Sequence, residues 1–328
     1  MKYVSIGASG ITAPCVFVGT WAIGGTSMWG DNDNSESVKT LQHAISIGLN
    51  AIDTAAVYGY GLAEEIVGKA VEGHRHDVII ATKCGLRWNT DKGTLRFERD
   101  GHRTVINLTA EGIFYEVEES LRRLNTDYID IYFTHWPSIP PFETPVEETM
   151  NALSELKKQG KIRAIGACNV TTEKLAEYRK YAEIDVIQNR YTMLDRRFAP
   201  LLPICEKQNI AFQAYSPLEM GLLTGKIGMD YVYRPNEVRE ANVWFKESNR
   251  RLALDMLDKF KPLLSKYGCT MAQLVIAYTV SRIPNMIAIC GARKISQVDD
   301  NAGGASLTLD AEDIKYINAI VEAMPQKT

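Results

Sequence analysis

Residues 50–70, NAIDTAAVYGYGLAEEIVGKA, hold one strand, one loop and one helix, and they separate two fold classes. The NAIDT run at 50–54 is short and apolar, as in a strand buried on both faces, and a helix is predicted over 62–72. Between them stands Gly59-Tyr60-Gly61, which is half of a dinucleotide fingerprint. The third glycine and the acidic residue about 20 positions further on are missing. We therefore expect a tight turn that two glycines permit, and no Rossmann phosphate site.

The same alternation of a short apolar strand and a helix recurs along the chain. Strands are predicted at 16–20, 50–54, 77–83, 128–135, 161–167, 185–189, 210–216 and 286–290. Helices are predicted at 35–48, 62–72, 110–124, 146–159, 172–182, 197–208, 247–266, 296–303 and 310–323. Eight such units indicate an α/β protein with one (β/α)8 barrel domain over 1–328. A doubly wound sheet is the structural alternative, although it seldom contains eight regular units.

About 80 residues exceed the roughly 250 that a typical barrel needs. We assign them to an N-terminal β-hairpin with its turn at Ala8-Ser9-Gly10, to a C-terminal helix, and to two long loops at 84–107 and 217–246. Both loops follow strands. They are therefore expected on the carboxyl-end face, where barrel active sites are built.

Composition narrows the classes of partner. The net charge is −3 and 45% of residues are hydrophobic, so no basic excess points to nucleic acid or to an anionic membrane. The six cysteines form no C-x-x-C pair and mostly stand in apolar company, which favours buried thiols in a reducing compartment. No apolar run suits a signal peptide or a membrane span, and the five histidines are too dispersed for a metal site. We expect a cytoplasmic protein without a metal.

Four polar residues stand at or just past the ends of predicted strands: Asp53, Tyr58, Lys83 and His135. Each alone has a structural explanation, such as a cap, loop packing, a solvated strand end or a buried histidine. In a barrel, however, these positions converge on one mouth. Their joint occurrence predicts an active site there.

The sequence around these residues resembles the aldo-keto reductase signature, in which an Asp is followed five residues later by a Tyr and then by an E-E-x-[LIV]-G helix. Further matching segments are GTWAIGG at 19–25, ATK at 81–83, SLRRLNTDYIDIYFTHWP at 120–137, GKIRAIGACNV at 160–170, QNRYTMLDR at 188–196, YSPLEMGLLTGK at 215–226 and GARKISQVDDN at 291–301. Together they cover most of the chain. The resemblance is nearest to the bacterial general-stress and inositol-operon branch of that superfamily.

The resemblance implies a role for each of the four residues in reducing a carbonyl. Tyr58 would be the general acid, Lys83 would stabilise its phenolate, Asp53 would fix the ammonium, and His135 would hydrogen-bond the substrate oxygen. An ammonium about 4 Å from a phenol is worth roughly 4 kcal/mol at an effective dielectric of 20. That corresponds to a fall of about three units from the usual tyrosine pKa of about 10. The expected pKa of Tyr58 is therefore close to neutral pH.

The resemblance also implies a nicotinamide cofactor held extended across the barrel mouth. NADPH is expected in preference to NADH, because Arg293 suits a 2′-phosphate. The implied cofactor residues are Thr20, Trp21, Asp53, Cys168, Asn169, Gln188, Tyr215, Ser216, Leu218, Gly221, Leu222, Thr224, Lys226, Gly291, Arg293, Gln297 and Asn301. The chain departs from the family at two places, where Cys168 replaces the more usual serine and Cys290 replaces the usual proline.

The expected substrate is a small carbonyl compound or a sugar. The residues expected around it are Trp21, Tyr58, Trp88, His135 and Trp136. Arg87 and Arg103 either bind an anionic group of the substrate or are solvated surface cations. Two other functions stay open: an NAD(P)⁺-dependent sugar or polyol dehydrogenase working in the oxidative direction, and a cofactor-sensing regulatory module with little turnover. The oligomeric state is also open.

Overall fold

Eight parallel strands form a closed barrel in the computed structural model, which describes residues 1–327. The strands in these residues are β1 (Tyr3–Ile6), β2 (Ile11–Pro14), β3 (Val16–Gly19), β4 (Ala51–Asp53), β5 (Ile79–Cys84), β6 (Leu86–Arg87), β7 (Thr94–Arg99), β8 (His102–Ile106), β9 (Ile129–Thr134), β10 (Ile162–Cys168), β11 (Val186–Arg190), β12 (Ala211–Tyr215) and β13 (Met286–Gly291). The barrel order is β3-β4-β5-β9-β10-β11-β12-β13, and parallel pairing of β13 with β3 closes it. The predicted (β/α)8 class is confirmed.

Helices surround the barrel. Those in the described residues are α1 (Asn34–Ser46), α2 (Leu62–Ala70), α3 (Ala110–Leu124), α4 (Val146–Lys158), α5 (Thr172–Tyr178), α6 (Leu202–Lys207), α7 (Glu247–Asp258), α8 (Lys261–Tyr267), α9 (Met271–Val280), α10 (Ile295–Ser306) and α11 (Ala311–Glu322). In α3, Ile113, Val117, Leu121 and Leu124 are buried at helical spacing, and Thr109 caps the first turn. The apolar stripe of α3 therefore faces the barrel.

The barrel strands are apolar because the helices cover their outer face and side chains fill the interior. All six residues of β9 are buried, and six of the seven in β10 are buried. The predicted N-terminal hairpin is also present, with Ile6 paired to Ile11. Its turn contacts the start of β11, since Gly7 approaches the backbone of Asp185. The hairpin therefore covers the amino end of the barrel and leaves the carboxyl end open.

Two features of the structure are absent from the sequence prediction. The segment predicted as a loop at 84–107 contains a three-stranded antiparallel sheet of order β6-β8-β7. The helices predicted over 247–266 are α7 and α8, and α9 follows them where no helix was predicted. Nine of the ten residues of α9 are buried. A helix that is buried all round has no polar face, so its period does not stand out in the sequence.

The second long loop, 217–246, packs firmly despite its irregular backbone. Trp244 and Phe245 are fully buried in a second apolar cluster together with residues of α7, α8, α9 and α11. This cluster fixes the loop over the carboxyl end of the barrel. No helix among residues 1–327 combines the length and apolarity needed to cross a bilayer. The single domain over 1–328 stays a prediction, and residue 328 lies outside the described residues.

Candidate active site at the carboxyl end of the barrel

Hydrogen bonds hold the buried Lys83 ammonium at the carboxyl end of the barrel. Lys83 projects from β5 with 1% of its surface exposed, and its Nζ donates to both Asp53 carboxylate oxygens at 2.9 and 3.0 Å. A third bond goes to the Thr54 carbonyl at 2.7 Å. Burial works to lower the pKa of Lys83, but Asp53 and the other polar neighbours outweigh it and the pKa is raised. Lys83 is therefore a fixed ammonium.

Tyr58 also contacts the Lys83 ammonium. Its phenol oxygen is 3.4 Å from Lys83 Nζ, and it stands at the first position of the 3₁₀ turn Tyr58–Gly61. Within the turn, Gly59 and Gly61 have φ of 61° and 106°, which glycine adopts at low cost. The backbone of Gly59 lies directly against that of Gly24, so neither position has room for a side chain. The two glycines thus shape a turn, as predicted, and the turn holds Tyr58 at the mouth.

The near-neutral pKa expected for Tyr58 from the Lys83 charge is wrong for this structure. Burial raises the pKa of Tyr58 to about 12, and the Lys83 ammonium offsets that rise only in part. At 3.4 Å the ammonium is worth roughly 5 kcal/mol at an effective dielectric of 20, but desolvation of the phenolate is the larger effect. Tyr58 is therefore a protonated phenol throughout the physiological pH range.

His135 completes the group and is neutral. It follows β9, and its ring is 5.9 Å from the Tyr58 ring, centroid to centroid, in an edge-on arrangement. Burial lowers the pKa of His135 well below its usual value, and the charges of Lys83 and Arg96 lower it further. Its backbone carbonyl accepts a hydrogen bond from the Asn169 amide at 2.9 Å. A neutral imidazole and a protonated phenol therefore face the same space.

A single cavity of about 1040 Å³ begins at these residues and extends across the barrel mouth. It is lined by most of the residues predicted for catalysis, cofactor and substrate. These are Trp21, Asp53, Tyr58, His135, Trp136, Asn169, Gln188, Tyr215, Ser216, Leu218, Gly221, Thr224, Lys226, Gly291, Arg293, Gln297 and Asn301. The carboxyl ends of seven barrel strands and the loop at 217–246 thus contribute to one elongated space.

Other predicted residues lie outside the cavity wall. Thr20 is buried and donates to the Asp53 carbonyl at 3.0 Å, while Leu222 is packed in the second apolar cluster. Cys168 is fully buried at the end of β10, and burial raises the pKa of its thiol. The Trp88 ring packs edge-on against the Tyr60 ring, with 5.7 Å between the ring centroids, and Trp88 lies outside the cavity. Trp88 is therefore not among the residues that the structure brings together around the substrate space.

The arginines of segment 84–107 that line the cavity are not the two considered for the substrate. Arg96 and Arg99 of β7 line the cavity. Arg103 instead pairs with Asp91 and Glu98 on the surface, and Arg87 hydrogen-bonds Asn89. The sequence placed all four arginines in one loop. Only the pairing of β7 with β8 decides which of them face the site.

The residues present fit a nicotinamide dinucleotide. Gln188 donates to the Asp53 carboxylate at 2.7 Å, and the Tyr215 hydroxyl donates to the Asn169 side chain at 2.9 Å, so amide groups and an aromatic ring are fixed near Tyr58. At the far end of the cavity the Asn301 amide nitrogen is buried and has no hydrogen-bond partner among residues 1–327. An unpaired buried donor is costly unless a ligand satisfies it. An adenine ring offers suitable acceptors.

Known proteins share both the fold and the sequence pattern. A curated relative, the NADH-specific methylglyoxal reductase of Escherichia coli, is 43% identical over 99% of both chains. The solved structure of the glycerol dehydrogenase AKR11B4 from Gluconobacter oxydans has a TM-score of 0.88, is 33% identical, and covers 99% of this chain and 97% of its own. An aldo/keto reductase from Klebsiella pneumoniae, solved with NADP and acetate, has a TM-score of 0.73 at 26% identity over 100% and 98% of the chains.

Fold and site together define a barrel oxidoreductase, with a tyrosine beside a buried lysine–aspartate pair at the carboxyl end of the strands. The family model described as "Aldo/keto reductase family" matches residues 16–322. This chain belongs to the aldo/keto reductase family.

Proposed function

We propose that this protein is a nicotinamide-dependent carbonyl reductase that converts a small aldehyde, ketone or sugar carbonyl to the alcohol. The observation that carries the proposal is the protonated Tyr58 phenol, 3.4 Å from the fixed Lys83 ammonium, on the wall of a cavity large enough for a dinucleotide and a small substrate. The reductase of Escherichia coli, at 43% identity, makes methylglyoxal the first substrate to test.

The side chains divide the work of protonation. Tyr58 donates its phenolic proton to the carbonyl oxygen, and Lys83 stabilises the phenolate that remains. Asp53 holds the ammonium in place through its two hydrogen bonds. The neutral His135 ring hydrogen-bonds the carbonyl oxygen and orients it. When bound, the reduced nicotinamide supplies the hydride that the carbonyl carbon accepts.

The choice of cofactor follows from the groups at the far end of the cavity. The expectation of NADPH rested on Arg293, but its guanidinium donates to the carbonyls of Trp29, at 3.1 Å, and of Asp31. Glu36 lines the same cavity and adds a negative charge. A carboxylate disfavours a 2′-phosphate and suits a free ribose hydroxyl. We therefore propose NADH as the preferred cofactor, which agrees with the specificity of the Escherichia coli relative.

The substitution Tyr58→Phe tests the proposed general acid. We expect kcat for methylglyoxal, followed by the absorbance of the reduced cofactor, to fall 10²- to 10⁴-fold, because the proton donor is lost while the ring remains. Tyr316→Phe on the outer surface of α11 is the matched control and should keep wild-type rates. Equal rates in the wild type and in Tyr58→Phe would remove Tyr58 from the mechanism.

The cofactor proposal is tested by comparing kcat/KM for NADH and NADPH. The wild type should favour NADH. Glu36→Gln should lower the ratio of kcat/KM for NADH to kcat/KM for NADPH about fivefold, since the repulsion between one partly screened carboxylate and the 2′-phosphate is worth about 1 kcal/mol. Glu312→Gln, on the exposed first turn of α11, is the control and should leave the ratio unchanged. A wild type that prefers NADPH would contradict the proposal.

A further inference from the structure

An arginine of the inserted sheet stands on the cavity wall without a counter-ion. Arg96 lines the cavity, and within residues 1–327 its guanidinium takes part in no salt bridge and no side-chain hydrogen bond. Its sheet neighbour Arg103 is paired with two carboxylates. Of the four carboxylates on the wall, Asp53 is bound to Lys83 and Asp300 to Lys226, while Asp33 and Glu36 belong to the start of α1.

The position of Arg96 is set by a β-bulge. Leu95 pairs with Val105 and Phe97 pairs with Thr104, so Arg96 has no partner on β8. A bulge inserts one unpaired residue and redirects its side chain, and bulges are frequent beside active sites. With regular pairing, Arg96 would alternate with Phe97 along the strand. The bulge instead allows Arg96 and Phe97 both to line the cavity.

Stacking fixes the guanidinium close to the reacting centre. The Arg96 Cζ atom is 4.1 Å from the centroid of the Trp136 ring, and Trp136 directly follows His135. The Arg96 charge is also near enough to lower the pKa of His135. Stacking uses the face of a guanidinium and leaves its N–H edge free for a planar oxyanion. Arg96 thus presents unused donors at the substrate end of the cavity.

We propose that Arg96 binds an anionic group of the substrate, so that the carbonyl compounds reduced best carry a carboxylate or a phosphate. The proposal rests on the proposed function and narrows its substrate class. Arg99, which also lines the cavity and has no salt bridge among residues 1–327, adds to the positive potential. A bidentate arginine–oxyanion contact is among the stronger polar interactions in proteins. A solvated surface cation, in contrast, would show no preference among substrates.

Matched pairs of substrates provide the test. At saturating NADH, kcat/KM is measured for 4-oxobutanoate against butanal, and for glyceraldehyde 3-phosphate against glyceraldehyde. We expect the wild type to prefer one anionic compound over its neutral partner by tenfold or more. The pair with the larger ratio identifies whether the group is a carboxylate or a phosphate. No preference in either pair would overturn the proposal.

Variants assign the preference to Arg96. In Arg96→Gln the ratio of kcat/KM for the anionic compound to that for its neutral partner should fall to about one, and Arg96→Lys should restore part of the preference. Arg103→Gln removes the same charge from the same sheet outside the cavity wall and should keep the full preference. A preference that persists in Arg96→Gln would exclude Arg96 as the binding residue.

A binding measurement separates this proposal from the proposed function. Titration calorimetry with succinate and with inorganic phosphate, at saturating NADH, requires no turnover. We expect saturable binding of one anion that weakens about tenfold in Arg96→Gln and is unchanged in Arg103→Gln. Equal binding by the wild type and Arg96→Gln would overturn the anion site. A wild type that reduces none of the four carbonyl compounds would count against the proposed function instead.

Discussion

Tyr58 and Lys83 are adjacent in space, but the Lys83 charge considered alone predicts the wrong ionisation state for Tyr58. A charge 3.4 Å away lowers the pKa of a phenol. That effect is the only one that the identities of the two residues reveal. The loss of solvent around Tyr58 acts in the other direction and is larger, so the pKa is raised to about 12. Desolvation depends on how loops close over the residue, which no local motif specifies.

The raised pKa predicts a distinctive dependence on pH. Reduction needs the protonated phenol, which is lost only as the pH rises through the pKa, and oxidation of the alcohol needs the phenolate. We therefore expect kcat/KM for reduction to stay level from about pH 7 to about pH 10. Over the same range oxidation should rise about tenfold per pH unit. His135, neutral throughout because its pKa is lowered, adds no further change.

The pH dependence of the rates of reduction and of oxidation distinguishes a Tyr58 pKa near 7 from one of about 12. A pKa near 7 would make oxidation level off by about pH 8 and would make reduction fall above it. Such profiles would show that the Lys83 charge, and not burial, controls Tyr58. The measurement needs only purified wild-type enzyme and one alcohol–carbonyl pair.

The turn between β4 and α2 connects backbone geometry to the position of the acid. Gly59 has φ of 61°, and the backbone of Gly24 fills the space where its side chain would stand. Two loops after neighbouring strands are therefore locked together, with Tyr58 between them. Three consecutive residues of this turn are left-handed, including Tyr60 at φ 54°. Backbone of this kind persists only where the surroundings hold it in place.

The substitution Gly59→Ala should disturb both stability and catalysis. We expect a loss of more than about 2 kcal/mol in the free energy of unfolding, since a steric clash adds to the cost of a left-handed alanine. Activity should also fall, because Tyr58 must shift. The measurements are urea unfolding and kcat.

Gly73→Ala is the matched control for Gly59→Ala. Gly73 has φ of 78°, and no atom lies within 4 Å of the position that its Cβ would take, so only the backbone cost of about 1–2 kcal/mol remains. We expect unchanged kcat in Gly73→Ala. Equal effects of the two substitutions would show that the contact between Gly59 and Gly24 has no role.

Segments from distant parts of the chain together line the cavity. Its walls come from the ends of barrel strands, from β7 of the inserted sheet, from the loop at 217–246 and from α10. Arg293 of the segment before α10 bonds the carbonyls of Trp29 and Asp31, and Arg234 of the long loop also bonds Trp29 at 3.0 Å. These contacts join segments that lie far apart in the sequence. They close the cavity at the end assigned to the cofactor.

The sequence by itself determined the barrel class, the order of the eight barrel strands along the chain and the strand ends that carry Asp53, Lys83 and His135. Apolar period and strand–helix alternation are local properties that a single chain records directly. Only the tertiary structure decided that Arg96 faces the cavity while Arg103 faces solvent, that α9 is a helix, and that Tyr58 has a raised pKa. Each of these depends on packing between distant segments: a bulge set by strand pairing, a helix buried on all sides, and a phenol partly removed from water.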